Sequence, residues 1–151
     1  MNVLIADDHI GVRLAISKVL REEVADLAIA EAKNLGELFA TSFHEQPQLV
    51  LLDWELSGLP SAVMLSLPAY NPKRRKSDLR RNVVLFSLHN LNSHPTVIVL
   101  SSHPEARDVA MLVGADAFVL KGGQPEDLLY TLRSVMKERA RRKPKNAKNS
   151  P

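Results

Sequence analysis

Short apolar runs alternate with segments of helical period along this chain, and no other feature restricts its folding as strongly. The runs "NVLIA" (2–6), "LAIAEA" (27–32), "QLVLLD" (48–53), "TVIVLSS" (96–102) and "DAFVLKG" (116–122) read as strands. Between them lie helical patterns. Residues 11–23 place Val12, Ile16, Val19 and Leu20 on one face, and 34–43 does the same with Leu35, Leu38 and Phe39. "VVLFSLHNL" (83–91) and "PEARDVAMLVG" (104–114) follow, and 124–142 turns Leu128, Leu132, Val135 and Met136 inward. About five strand–helix alternations imply an α/β fold, with a doubly wound, five-stranded parallel sheet and helices on both faces. In such sheets function gathers at the carboxyl ends of the strands.

One interval breaks the rhythm. About 40 residues separate Asp53 from the next strand, too many for one short crossover. Residues 57–81, with three prolines and the basic run "KRRKSDLRR", read as an enlarged loop carrying a short helix near "SAVMLSL". The net charge of +3 conceals an uneven distribution. Residues 73–81 hold six Lys or Arg, and 137–151 hold seven. Outside those two stretches remain seven basic and fifteen acidic residues, so the body of the chain is acidic.

A length of 151 residues suits one domain, expected over 1–141 with a basic, disordered tail over 142–151. No apolar stretch approaches the ~20 residues that span a bilayer. The N-terminus lacks the pattern of a signal peptide, and there is no cysteine. A cytoplasmic protein without a membrane partner is the expectation.

The strand ends carry the chemistry. The first delivers Asp7 and Asp8, the third Asp53, the fourth Ser101 and Ser102, and the fifth Lys121. Phe118 stands three residues before that lysine. Three carboxylates converging at one edge repel one another unless a cation joins them. Mg²⁺ suits such a site, because it takes oxygen ligands and needs few protein carboxylates. With a hydroxyl and an ammonium beside them, these are the parts for phosphoryl transfer to a carboxylate. Each residue has a plainer reading alone: Asp7–Asp8 as a helix cap, Ser101 as a cap, Lys121 as a solvated charge, Asp53 as a turn residue. The order of the set, each member after a different strand, favours the joint site.

"VLIADDH", "LVLLDWEL", "VIVLSSH" and "GADAFVLKG" resemble the motifs of the receiver domain of two-component response regulators. The likeness is to receivers of the NarL/LuxR type, which usually carry a helix-turn-helix output domain; only about ten residues follow the last expected helix here. The resemblance implies a flavodoxin-like sheet of order 2-1-3-4-5. It implies that Asp53 is the phosphoacceptor for a sensor histidine kinase or phosphotransfer protein. Asp7, Asp8, Asp53 and the backbone carbonyl of Glu55 would hold Mg²⁺. Lys121 would contact the phosphoryl group, and Ser101 and Phe118 would move together as the switch. A downstream protein target would read the change, and a homodimer is compatible with it. The chain would be a signalling domain rather than an enzyme.

Two positions depart from the family pattern: Ser57 and Gly122 stand where proline is common. The histidines His9, His44, His89, His94 and His103 show no metal spacing and read as surface or loop residues. Two other functions compete. One is a receiver-like binding module that uses the basic insert and tail on nucleic acid or an acidic partner; a solvated loop and tail is the simpler reading of those stretches. The other is a hydrolase with an aspartyl-phosphate intermediate and Glu55 as its second acid.

Overall fold

The computed structural model describes residues 1–58 and 76–142. Its strands are β1 (Asn2–Ala6), β2 (Ala28–Ala32), β3 (Leu49–Asp53), β4 (Thr96–Ser101) and β5 (Ala117–Leu120). Its helices are α1 (Ile10–Glu23), α2 (Leu35–Glu45), α3 (Lys76–His89), α4 (Ala106–Leu112) and α5 (Pro125–Arg142). The strands form one parallel sheet in the order β2-β1-β3-β4-β5. The expected α/β architecture and strand order are therefore observed.

The apolar runs are explained by position in the sheet. β3 and β4 lie inside it and are buried along their whole length. β2 and β5 form the edges and are partly exposed. Side chains alternate across a strand, so the central strands feed two cores. Leu4, Val50, Leu52, Val97 and Val99 pack with Leu35 and Leu38 of α2, Val84, Leu85 and Leu88 of α3, and Ala106 and Ala110 of α4. Val3, Ile5, Leu49, Leu51, Ile98 and Leu100 pack on the other face with Ile16 and Leu20 of α1 and Leu128, Leu132 and Val135 of α5. The helical faces expected from the spacing are the buried ones.

Most strand-to-helix connections take two to four residues, but twenty-two separate β3 from α3. The segment after β3 is thus enlarged, with one correction. The expected loop over 57–81 ends earlier, because α3 begins at Lys76 rather than near residue 83. Residues 76–89 contain no Gly or Pro and include Lys, Leu and Arg, which favour helix. The short helix expected near "SAVMLSL" and the tail from 143 lie outside the described residues. Among the described residues, no helix is long and apolar enough to cross a membrane.

The chain leaving β3 is tied down locally. Asn34 caps α2 by accepting the Glu37 N–H at 2.8 Å, and the Leu35 N–H donates to the Ser57 carbonyl at 2.8 Å. Gly58 has φ +91° and lies against Asn34, where a Cβ would meet the Asn34 side chain at 3.0 Å. The exit from β3 is therefore held against the start of α2.

Leu51 is fully buried in the middle strand. Leu51→Ala is expected to lower unfolding free energy by about 3 kcal/mol in urea denaturation. A loss below about 1 kcal/mol would contradict the close packing assigned to this face.

Candidate functional site

Sheet register assembles the site. Ala6 pairs with Leu52, Asp53 with Leu100, and Ser101 with Leu120. Asp7, Asp53, Ser101 and Lys121 therefore leave four neighbouring strands at one edge. Asp7, Asp53 and Ser101 are buried, with Asp7 fully so.

The centre of the site is one ammonium between two carboxylates. Lys121 Nζ lies 2.7 Å from Asp7 Oδ2 and 2.8 Å from Asp53 Oδ1. Carboxylates this buried would repel each other strongly without an intervening cation. Asp53 Oδ1 also accepts the Glu55 N–H at 3.1 Å. Among the described residues, Asp53 Oδ2 accepts no hydrogen bond.

Burial holds the Asp53 carboxyl above its ordinary pKa, against the opposing pull of Lys121 and the Glu55 N–H. For Lys121, burial acts to lower the pKa, but pairing with Asp53 and Asp7 prevails and holds it above its ordinary value. The lysine therefore stays charged across the neutral range.

The loop after β1 carries the exposed part of the site. Asp7 Oδ1 accepts the His9 N–H at 2.9 Å, and His9 Nδ1 lies 2.6 Å from Asp8 Oδ1. Asp8 is about half exposed. Asp7, Asp8 and His9 each offer a ligand atom within 4.8 Å of the others. Asp7 Oδ2 is buried, and its ion pair with Lys121 lacks the alignment of a hydrogen bond. An under-satisfied buried carboxylate oxygen beside a half-exposed one is a donor set that fits a hard divalent cation.

Ser101 is engaged by partners other than Asp53. Its hydroxyl donates to Glu55 Oε1 at 2.8 Å, and its oxygen accepts the His103 N–H at 3.0 Å. Phe118 is half-buried and packs against the core beneath α3 and α4. Gly122 follows Lys121 with φ +79°, a conformation closed to proline, so the turn here differs from one built on that residue.

The structure thus brings Asp7, Asp53 and Lys121 into contact, with Asp8 at the rim and Ser101 on the adjoining strand. Three participants were not singled out from sequence. The Glu55 side chain binds Ser101, a partner that neither its expected backbone role nor its reading as a hydrolase's second acid included. Arg13 donates from Nη1 to the Asp7 carbonyl at 2.8 Å and from Nε to Glu31 Oε2 at 2.7 Å, fixing the acidic loop against β2. Glu31 is exposed on the edge strand β2, where a carboxylate is ordinary, so the sequence carried no signal of this pairing.

No family model matches the chain. Solved structures share its shape. A CheY-like receiver domain protein from Methanospirillum hungatei superposes with a TM-score of 0.68 at 21% identity, over 93% of this chain and 96% of that one. The isolated receiver domain of RcsB from Salmonella enterica, determined with the phosphomimetic BeF₃⁻, gives 0.67 at 22% identity over 91% and 88%. This is the receiver fold. Curated relatives of the receiver fold also align. The nitrate/nitrite response regulator NarL of Escherichia coli is 28% identical over 130 residues, covering 86% of this chain and 52% of NarL. The phosphate regulon regulator PhoB of Pseudomonas aeruginosa is 29% identical over 136 residues, covering 89% and 51%. The chain spans about half the length of these relatives.

Lys121→Met keeps the apolar stem but leaves two buried carboxylates without their cation. It is expected to cost about 3 kcal/mol of stability in metal-free buffer, with part recovered on adding Mg²⁺. Urea denaturation with chelator and with Mg²⁺ measures both; unchanged stability in chelator would contradict the bridging role.

Proposed function

We propose that this chain is a signalling receiver that accepts a phosphoryl group on Asp53 from the phosphohistidine of a sensor kinase or phosphotransfer protein. The observation that carries this reading is the asymmetric binding of the Asp53 carboxylate. One oxygen is held by Lys121 and the Glu55 N–H, and among the described residues the other accepts no hydrogen bond. An anchored carboxylate with one free oxygen is an aimed nucleophile. In the transfer, an Oδ2 lone pair forms the O–P bond, the donor N–P bond breaks, and the leaving imidazole keeps the electron pair. Lys121 then neutralises charge on the phosphoryl oxygens.

Asp7, Asp8 and Asp53, with the Glu55 backbone carbonyl, would hold Mg²⁺. The ion supplies charge neutralisation at the phosphoryl oxygens. Arg13 fixes the loop that bears Asp7 and Asp8 against β2.

Phosphorylation replaces the single charge of the Asp53 carboxylate with the roughly two charges of a phosphoryl group, and that change biases a two-state element. Ser101 and Phe118 are that element, leading to α4, β5 and α5. The exposed side chains of Leu112, Leu120 and Tyr130 lie on these elements and suit a downstream protein target. The relatives being response regulators supports the signalling role.

Intact mass after incubation with acetyl phosphate tests the reading. One phosphoryl group should appear on the unsubstituted protein in Mg²⁺, and none in chelator or on Asp53→Ala. An equal gain on Asp53→Ala would contradict it.

A further inference from the structure

The Ser101 hydroxyl has one proton, and in this structure it is spent. Oγ donates to Glu55 Oε1 at 2.8 Å and accepts from the His103 N–H at 3.0 Å. A hydroxyl donates to one acceptor at a time. Ser101 is fully buried, while Glu55 is exposed at the mouth of the site and two residues beyond Asp53. Its backbone and side chain act on different partners: its N–H orients Asp53 Oδ1, and its carboxylate takes the Ser101 proton.

We propose that the Glu55 carboxylate is a resting-state latch on the switch hydroxyl, holding Ser101 away from Asp53 until a phosphoryl oxygen displaces it as the acceptor. The inference rests on Asp53 being the phosphoacceptor. A hydrogen bond to a carboxylate is roughly twice as strong as one between neutral groups. The resting position is therefore actively held. A phosphoryl oxygen, itself anionic, is an acceptor strong enough to compete, whereas an unmodified Asp53 already has its oriented oxygen satisfied by Lys121 and Glu55 N–H. Glu55 also places a negative charge near the incoming anion, so removing the charge helps binding in two ways that must be separated.

A double-mutant cycle separates them. The probe is BeF₃⁻ with Mg²⁺, followed by the fluorescence of Trp54, which is buried beside Asp53. Glu55→Gln keeps the shape and a neutral acceptor, and its surface position spares the fold. It should lower the half-saturating BeF₃⁻ concentration by roughly three- to tenfold. In a Ser101→Ala background there is no proton to release, and the same change should shift it by less than about twofold.

An equal gain in both backgrounds would overturn the latch and leave bare charge repulsion as the explanation. No gain with Ser101 present would also overturn it. If BeF₃⁻ fails to bind the unsubstituted protein and every variant, the phosphoacceptor reading itself falls, and the latch with it. That outcome is distinct from the other two, in which the unsubstituted protein binds.

Discussion

The ion pair from Lys121 to Asp7 and Asp53 is the interaction on which the rest of the site depends. Two carboxylates lie buried at the end of a hydrophobic sheet, an arrangement that charge repulsion and desolvation both oppose. One ammonium between them makes it tenable. The lysine comes from an edge strand and the aspartates from central ones, so the pair exists only when β1, β3, β4 and β5 are in register. Building the sheet and building the site are the same event.

The fold holds the parts of the site in different ways. Asp53 ends a strand buried throughout, and the chain leaving it is fastened to the start of α2 through Ser57 and Leu35. Both contacts hold the proposed nucleophile in place. Ser101 and Phe118 are bound differently: the Ser101 hydroxyl donates its one proton to the exposed Glu55 carboxylate, and Phe118 is only partly buried. Under the proposed function, a new charge at a fixed point beside these two groups is a simple way to turn chemistry into a change of surface.

Much of this was legible in the sequence because strand ends are legible. The run "LVLL" ending in Asp53, and the matching ends at Asp7 and Lys121, identify an edge where unlike residues must meet. The helical faces of α1 and α5 follow from spacing alone. What escaped notice depends on turns and on partners far along the chain. Glu55 lies in a turn whose geometry decides that its carboxylate reaches Ser101, 46 residues away. The bond from Arg13 to the Asp7 carbonyl has no sequence signature, since a backbone acceptor is the same at every residue. The early start of α3 was hidden by its basic residues, which read as loop although they favour helix.

The central claim is that Asp53, and no neighbouring acid, is the nucleophile. Borohydride reduction of the acetyl phosphate-treated protein, followed by peptide mapping, tests it most directly, because an aspartyl phosphate is reduced to homoserine at its own position. Homoserine at position 53 alone is the expected result. Homoserine at Asp7 or Asp8, or a reduced product at Glu55, would contradict the account and reassign the role of the Lys121 bridge.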